Sequence, residues 1–301
     1  MAVKSVRFKL ANGEFIDLSY EESSGSWKGT TTSPVVTSWG EENHKYGAVV
    51  EATDDAGNVT TVDRTNETLG DSLQLRVLEK GLPVITIIAP AKDAFILTGK
   101  PTFSFKVKDE GSGIDTSKIV LTIDDEPVSG ELDIQPVLEG DTSEYMVTYT
   151  PAEDLSDGDH TYTISATDND GNTATSEETS FRIDTVDPEL NVSAPADNTY
   201  TNLDTITVSG TTSDDTSNPV TVTVNGNTVE VEEGAFSTEV SLDEGENTIT
   251  VVATDAAGRT TTIVRHVVKD TKAPVITSVL LTPNPVDAGA TYLVTVVVED
   301  E

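Results

Sequence analysis

Residues 160-HTYTISATDNDGNTAT-175 decide the fold, because this stretch is one of three similar copies in the chain. The other two copies are 46-YGAVVEATDDAGNVTT-61 and 247-NTITVVATDAAGRTTT-262. In the first-quoted copy, Tyr162, Ile164 and Ala166 lie two positions apart with more polar residues between them, which is the pattern of a half-buried β-strand. Gly171 then turns the chain into a Thr-rich partner strand. The repeat therefore predicts a pair of antiparallel strands in each of three domains.

Two further features precede each copy. The first is a hairpin whose flanking apolar residues keep one spacing, in the segments FKLANGEF at 8–15, LTIDDEPV at 121–128 and VTVNGNTV at 222–229. Asn-Gly and Asp-rich pairs at such points favour tight hairpin turns. The second feature is an aromatic residue in a short strand, at Trp27, Tyr145 and Phe236. Because short strands alternate with turn signals and no segment keeps a 3.6-residue apolar period, the sequence predicts β-sandwiches without a long helix.

These motifs resemble bacterial immunoglobulin-like domains, with strand endings ATDDAGN, ATDNDGN and ATDAAGR after segments such as DGDHTYT and EGENTIT. The resemblance covers nearly the whole chain. It implies an all-β fold of tandem immunoglobulin-like β-sandwiches in a rod, of the kind that builds stalks, adhesins and phage virion proteins. Arg259 departs from the family turn, since the first two copies have Asn58 and Asn172 there.

Prolines mark the expected domain boundaries. Pro83, Pro188 and Pro274 each open a new unit, because proline is well placed at the first residue of an edge strand. We predict an immunoglobulin-like domain over 1–82, further domains over 83–187 and 188–272, and a two-strand segment over 273–301. The first sandwich is expected to be incomplete, because residues 4–15 align with the third strand and hairpin of the middle domain.

The last segment supplies what the first domain is expected to lack. Residues 274–301 align without a gap with residues 83–110, the first two strands of the middle domain. We therefore expect the tail of one copy to complete the first domain of another by β-augmentation, which is a head-to-tail contact. The expected interface residues are Val6, Phe8 and Leu10 of one copy and Val294, Val296 and Val298 of the next. The alternatives are that the tail continues in a longer parent chain or packs on the third domain.

Composition excludes several classes of partner. The chain has 18 Lys and Arg against 53 Asp and Glu, a net charge of −35. Such a surface repels nucleic acid and anionic membranes, and no apolar run is long enough to span a bilayer, so we expect no nucleic acid partner and no membrane insertion. The absence of cysteine excludes disulfides and zinc-thiolate sites. The N-terminal segment MAVKSVRFKL lacks the apolar core of a secretory signal.

Acidic residues are the candidate metal ligands, and Ca²⁺ is the candidate ion. Asp54, Asp168 and Asp170 lie in the glycine turns, where carboxylates more often cap backbone amides than bind Ca²⁺. Asp109 lies in the loop after the second strand, and Asp214 lies in a comparable loop. An inter-domain calcium site of the kind that cadherin-like stalks use needs such acids to meet near Asp184 or Asp187.

Catalytic motifs are absent from the sequence. The three histidines do not align between copies, and neither HExxH nor GxSxG occurs. We therefore predict that the protein is not an enzyme. Trp39 has no counterpart in the other copies, so it is the candidate contact with a host cell-surface glycan.

The resemblance and the missing export signal together lead to a functional expectation. The segment 282-TPNPVDAGATYLVTVVVEDE-301 resembles short segments of phage tail proteins of Gram-positive bacteria. We expect a non-enzymatic component of a phage virion or phage-tail-like particle, made in the bacterial cytoplasm and released by lysis. Its partners would be other virion or tail subunits, or further copies of itself. The alternatives are a fragment of a bacterial cell-surface adhesin and an accessory module of a carbohydrate-active enzyme.

Overall fold

The computed structural model describes residues 2–10 and 13–300, which form strands, turns and three short 3-10 segments. The 3-10 segments are Glu42–His44, Gly70–Leu73 and Thr116–Lys118. None of the helical segments in these ranges has the length and apolar content needed to span a bilayer. The chain divides into two compact units, Met1–Ile183 and Asp184–Glu301. The predicted all-β fold is confirmed, and the predicted boundaries of the four segments stay predictions.

Sixteen strands form the first unit. They are β1 Val3–Leu10, β2 Ile16–Glu21, β3 Ser26–Lys28, β4 Tyr46–Asp54, β5 Val59–Asp63, β6 Gln74–Leu75, β7 Val84–Ala89, β8 Ala94–Ile96, β9 Phe103–Lys108, β10 Val120–Ile123, β11 Glu126–Pro127, β12 Asp133–Pro136, β13 Glu144–Tyr149, β14 Gly158–Thr167, β15 Thr173–Thr175 and β16 Thr179–Ile183.

Eleven strands form the second unit. They are β17 Glu189–Ala194, β18 Thr199–Thr201, β19 Thr205–Ser213, β20 Thr221–Val224, β21 Asn227–Val229, β22 Val231–Glu232, β23 Ala235–Ser241, β24 Gly245–Thr254, β25 Thr260–Lys269, β26 Val275–Thr282 and β27 Leu293–Glu299.

The middle of the chain folds as a two-sheet sandwich. One sheet has the order β12-β13-β9-β7, and the other has the order β11-β10-β14-β16-β8 with β15 on β14. Alternate residues of β9, such as Phe103 and Phe105, pack against Leu121 and Ile164 of the facing sheet, and all four are at most 1 % exposed. The strand period of two thus places one face of each sheet in a common core.

The second unit repeats this architecture. Its sheets have the orders β17-β19-β23-β22 and β18-β25-β24-β20-β21. Val208 and Phe236 from the first sheet pack with Val222, Ile249 and Val251 from the second. Both sandwiches contain a three-residue strand, β8 or β18, that joins the edge of the second-named sheet by pairing in parallel with β16 or β25. The sequence analysis assigned only two strands ahead of the middle hairpin and missed β8, because three residues carry too little periodicity to signal a strand.

Turns of the predicted hairpins have the expected geometry. Asp124 and Asp125 between β10 and β11 have φ of 49° and 65°, and Asn225 and Gly226 between β20 and β21 have φ of 49° and 79°. These are the positive φ values of a type I′ turn, which suits the twist of the flanking strands. In the first copy β1 and β2 form a hairpin at the predicted place, with Phe8 opposite Ile16, while positions 11 and 12 of its turn lie outside the described residues.

The beginning of the chain forms a single sheet. Its order is β3-β2-β1-β4-β5, with β6 also paired to β4. The buried side chains on its inner face are Leu10, Tyr46 and Ala48, which Leu73 and Val77 cover from the segment that follows. A chain segment rather than a second sheet therefore lies against this face.

Candidate functional site

The C-terminal hairpin of β26 and β27 has the strand register of β7 and β9 at both ends of the aligned stretch. Ile276 pairs with Val298 as Ile85 pairs with Val107, and Leu280 pairs with Thr295 as Ala89 pairs with Ser104. Each first strand carries one extra residue between these pairs, after Ile276 in β26 and after Ile87 in β7. In the middle sandwich, β9 pairs along its other edge with β13, whereas among the described residues β27 pairs with β26 alone. The hairpin is therefore built as the start of a sandwich, with its outer edge open.

Exposure of the apolar side chains distinguishes the two hairpins. The aligned residues Phe103, Phe105 and Val107 of β9 are at most 1 % exposed. The predicted interface residues of β27 are 46–52 % exposed, at Val294, Val296 and Val298. An isolated hairpin is at best marginally stable in water, and an open apolar edge pairs readily with another strand. The structure leaves this surface without a cover among residues 2–10 and 13–300.

The first sheet also leaves apolar side chains less buried than their counterparts in the middle sandwich. Val6 and Phe8 are half-buried, whereas the aligned Ile119 and Leu121 of the middle sandwich are buried. Leu10, the third predicted interface residue of this sheet, is buried against its own unit.

Part of this face is open to solvent. The residues lining a cleft of ≈ 900 Å³ include Leu10, Ile16, Tyr46 and Ala48. The strand β3 forms one edge of the sheet, so its outer main-chain groups face no strand there. Trp27 of β3 packs beside Tyr20 of β2, with ring centroids 5.5 Å apart.

One carboxylate cluster lies in the first unit, where Glu79, Asp109 and Asp168 each place an oxygen within 4.8 Å of the others. Asp109 Oδ1 accepts hydrogen bonds from three backbone amides of the loop 111–113. Asp168 accepts from the backbone and side-chain amides of Asn172 at 2.8 and 2.7 Å. Burial raises the pKa of the Glu79 carboxyl despite a hydrogen bond from Ser112. We name these three residues the Glu79 cluster.

A second cluster lies in the second unit and consists of Asp184, Asp214 and Asp255, which we name the Asp184 cluster. All three residues are at most 6 % exposed. Asp184 accepts hydrogen bonds from the amide of Val186 and from the hydroxyl groups of Thr216 and Ser217. Burial opposes ionisation of Asp214, but amide and hydroxyl donors of Ser217 and Thr216 outweigh it, so the net effect lowers the pKa of that carboxyl.

The two clusters occupy equivalent places. Glu79 and Asp184 each lie four positions before the proline that opens the following domain. Asp109 and Asp214 follow the second long strand of that domain, and Asp168 and Asp255 begin its glycine turn. Asp109, Asp168 and Asp184 are among the metal ligands predicted from the sequence, whereas Glu79 and Asp255 are not. The repeated spacing between an acid and a proline was the signal that could have found Glu79.

The other predicted metal ligands lie elsewhere. Asp54 is in neither cluster found among the described residues, and it accepts hydrogen bonds from Ala56 and Asn58 of its own turn. Asp170 accepts from the hydroxyl of Thr37 at 2.5 Å, from Arg76 and from the amide of Glu79. Burial opposes ionisation of Asp170, but the hydrogen bonds from Thr37 and Glu79 and the pairing with Arg76 lower its pKa overall. Both residues thus tie backbone segments together, which is the capping role that the sequence favoured for the turns.

The glycan candidate Trp39 is half-buried in the first unit. Its ring stacks on the imidazole of His44 with centroids 3.9 Å apart and an interplanar angle of 7°. The His44 ring also hydrogen-bonds to the Trp39 carbonyl at 2.5 Å. One face of this indole is therefore occupied by a neighbour from its own unit, and the assignment of Trp39 to a glycan stays a prediction.

Comparison with known families supports immunoglobulin-like repeats. Residues 89–185 match the family described as "Bacterial Ig-like domain", and residues 188–271 match the family described as "Glucodextranase, domain B". Together with the two sandwiches, these matches establish tandem immunoglobulin-like domains as the architecture of the chain. Such domains act as structural or adhesion-type modules.

Individual relatives cover limited parts of the chain or of themselves. Bacillopeptidase F of Bacillus subtilis (strain 168) is 39% identical over 108 residues, which are 36% of this chain and 7% of that protein. The fibronectin(III)-like modules of Clostridium thermocellum CbhA are 22% identical, cover 62% of this chain and 95% of their own, and give a TM-score of 0.38. Titin domains I67–I69 are 14% identical, cover 89% of this chain and 88% of their own, and give a TM-score of 0.43.

Proposed function

We propose that this chain is a non-catalytic structural module of a bacterial extracellular assembly, whose copies join head to tail. In this proposal β26 and β27 of one copy add two strands to the open first sheet of the next. The observation that carries it is the hairpin itself, which has the register of β7 and β9 but leaves its apolar residues exposed.

The middle sandwich supplies the geometry of the joint. There β9 pairs with the aromatic strand β13, and Val107 lies opposite Tyr145. The sequence alignment places Val298 at the position of Val107 and Trp27 at the position of Tyr145. The donated β27 therefore pairs with the free edge of β3, with Val298 opposite Trp27. Because β3 lies in one sheet with β1, whereas the aligned β13 and β10 lie in different sheets, covering Val6 and Phe8 also requires the donated hairpin to fold over this sheet.

The segment ahead of β26 supports the same equivalence. Asp270 lies four positions before Pro274, where Asp184 precedes Pro188. The amide of Lys272 donates to Asp270 Oδ1 at 2.9 Å, as the amide of Val186 donates to Asp184 Oδ1 at 3.0 Å. Residues 270–300 thus begin with the same local turn as the third domain.

Burial of the β27 valines alone offsets only part of the cost of association. Val294, Val296 and Val298 are about half exposed, so covering them gains roughly half of the ~1.5–3 kcal/mol that full burial of each side chain contributes, or about 2–5 kcal/mol in all. Association itself costs about 4–15 kcal/mol. Main-chain hydrogen bonds between β27 and β3 must therefore add to the affinity, as must burial of the apolar residues of β26. In β-augmentation the main-chain hydrogen bonds generally provide the affinity.

The extracellular setting rests on the comparisons. The 108 residues that resemble Bacillopeptidase F form a small share of that protein. Together with the immunoglobulin-like domain matches, this likeness supports an extracellular or cell-surface setting, which is compatible with the alternative of a bacterial cell-surface adhesin fragment. A place in a phage virion or tail-like particle that contacts the host surface stays a prediction.

Sedimentation velocity of the full 301-residue chain tests the proposal. We expect a concentration-dependent series of oligomers that Val296→Lys shifts to monomer, because a lysine there enters the apolar joint. Val297→Lys is the matched control, since Val297 points to the other face and its counterpart in the middle domain is Lys106. A chain shortened to residues 1–271 should also stay monomeric. Oligomers that survive both Val296→Lys and the shortening would refute the proposal, as would a wild-type chain that is monomeric at all concentrations.

A further inference from the structure

We propose that Asp184, Asp214 and Asp255 bind one Ca²⁺ ion within the second unit. The three carboxylates each place an oxygen within 4.8 Å of the others. Oxygens that share one Ca²⁺ ion lie at about 2.3–2.6 Å from it, so they are at most about 5 Å apart. The cluster therefore has the dimensions of a calcium site. This inference does not depend on the head-to-tail joint.

Unpartnered buried oxygens distinguish this cluster from an ordinary acidic patch. Asp214 Oδ2 and Asp255 Oδ2 are buried and have no hydrogen-bond partner among the described residues. Both residues are only 6 % exposed. A buried carboxylate oxygen without a donor costs free energy, because it has lost its water and gained nothing in return. A cation between these oxygens removes that cost.

The departure at Arg259 explains why one oxygen is free. In the first unit the side-chain amide of Asn172 donates to Asp168 Oδ2 at 2.7 Å. Arg259 stands at the position of Asn172, and its backbone amide still donates to Asp255 Oδ1 at 2.9 Å. Its side chain instead turns to Asp187 Oδ1, at 2.8 and 2.9 Å. The substitution therefore leaves the turn intact and removes the donor from Asp255 Oδ2.

Charge in the cluster also favours a cation. The three carboxylate groups each place an oxygen within 4.8 Å of the others, so negative charges on them repel one another at short range. The guanidinium group of Arg259, in the nearby glycine turn, forms an ion pair with Asp187. The remaining donors to Asp184 and Asp214 are neutral amides and hydroxyls from Val186, Thr216 and Ser217. A divalent ion offsets two of the three charges.

The donor set favours Ca²⁺ over other ions. Every side chain of the cluster offers oxygen, which hard cations prefer, and the chain has no cysteine for a soft metal. Mg²⁺ demands a near-ideal octahedron at about 2.0–2.1 Å and keeps several waters, which a nearly closed site of carboxylates does not suit. Ca²⁺ tolerates irregular geometry and mono- or bidentate carboxylates.

Binding would join three separate parts of the second unit. Asp184 belongs to the segment that leads into β17, Asp214 to the loop after β19, and Asp255 to the turn between β24 and β25. A shared ion therefore fixes the segment 184–188 against one end of its own sandwich. The Glu79 cluster is the natural control, because both oxygens of Asp168 already accept hydrogen bonds from Asn172.

Isothermal titration of the chelator-treated full chain with CaCl₂ tests the inference. We expect saturable binding that Asp255→Asn weakens at least tenfold, because the amide removes one charge and one ligand. The matched Asp168→Asn variant, at the equivalent turn of the first unit, should keep the wild-type affinity of this site. Thermal unfolding provides a second readout: in EDTA, Asp255→Asn should unfold at or above the wild-type temperature, since it removes an uncompensated buried charge.

Three results would overturn the inference. The first is the absence of Ca²⁺ binding by the wild-type chain at millimolar concentration. The second is unchanged binding by Asp255→Asn, and the third is a loss caused by Asp168→Asn that equals the loss caused by Asp255→Asn. A stronger response to MgCl₂ than to CaCl₂ would also contradict the choice of ion.

Discussion

Ile276 lies opposite Val298 across the C-terminal hairpin, in the register that joins Ile85 to Val107 in the middle sandwich. In the middle sandwich Val107 is fully buried, whereas Ile276 and Val298 are 63 % and 52 % exposed. The same local pairing therefore occurs once with a second sheet over it and once without. The proposed assembly depends on this observation: β26 and β27 are paired with each other, but their apolar side chains are exposed.

Substitutions at aligned inner-face positions of β10 and β1 should differ in effect. Leu121→Ala removes a fully buried side chain, so we expect the middle sandwich to lose about 2–5 kcal/mol of unfolding free energy. Phe8→Ala at the aligned position removes a half-buried side chain and should cost less in dilute monomer. It should nevertheless weaken oligomerisation, because Phe8 packs only partly against its own unit and its exposed remainder is covered in the joint. Urea denaturation and sedimentation of the same two variants measure both effects, and an equal loss of stability with no change in association would contradict this account of the first sheet.

His160 should make the stability of the middle sandwich depend on pH near neutrality. Burial lowers the pKa of His160, but the Ser156 carbonyl and the carboxylates of Asp124 and Asp159 outweigh it, so the net effect raises the pKa above its ordinary value of 6.5. A raised folded-state pKa stabilises the protein fully below the unfolded value, and this stabilisation is lost as the pH rises through the folded value.

Thermal unfolding between pH 5.5 and 8.5 measures this dependence. We expect His160→Gln to flatten the profile of the middle sandwich. His266→Gln serves as the control, because His266 is exposed and belongs to the other unit. A profile unchanged by His160→Gln would contradict the assignment.

Tyr162 should limit stability in alkali. Its hydroxyl donates to the Pro90 carbonyl at 2.5 Å, and burial raises the pKa of Tyr162 to about 12. The folded state thus favours the neutral phenol, so stability should fall as the pH rises above the unfolded value of 10.0. Tyr162→Phe should cost about 1–3 kcal/mol at pH 7, because the carbonyl loses its donor. The same variant should lose less stability than the wild type between pH 9 and 11, and a parallel fall in both would contradict this reading.

The residue after the glycine turn should control calcium affinity. Arg259→Asn restores the amide that Asn172 supplies in the first unit, so we expect it to cover Asp255 Oδ2 and weaken Ca²⁺ binding at the Asp184 cluster. Asn172→Ala should act in the opposite direction, because it frees Asp168 Oδ2 in the Glu79 cluster. Titration calorimetry should then detect an additional site. If neither variant changes the affinity or the number of sites, hydrogen bonding at the turn does not govern binding.

The sequence predicted the parts of the fold that local patterns determine. Two-residue periodicity located strands such as β14 and β24. The Asn225-Gly226 pair predicted a tight hairpin turn, which has the φ values of type I′. The short parallel strands β8 and β18 were not predicted. Each forms by pairing with a strand far away in the sequence, β16 or β25, and its own three residues give too little pattern to signal a strand.

The candidate metal ligands could also be predicted only in part from local sequence patterns. Asp109, Asp168 and Asp184 were recognisable as acids in loops, but their division into two clusters depends on tertiary structure. Asp255 is the only acid in the third glycine turn, so the sequence of that turn gives little sign of a metal site. The structure shows that its partners come from the preceding segment and from the loop after β19, which no local comparison of turns could reveal.

Disulfide trapping between two copies tests the head-to-tail joint most directly, since the chain has no cysteine of its own. In the middle sandwich Glu144 pairs with Lys108, and the aligned residues are Ser26 and Glu299. Cross-strand neighbours lie within reach of a disulfide. Ser26→Cys and Glu299→Cys chains, one of them enlarged by a tag, are mixed and oxidised, and Thr295→Cys replaces Glu299→Cys as the out-of-register control.

The account predicts a cross-linked heterodimer from Ser26→Cys with Glu299→Cys and little or none from Ser26→Cys with Thr295→Cys. Equal yields from both pairs, or no heterodimer from either, would contradict the donation of β26 and β27 to the first sheet of another copy.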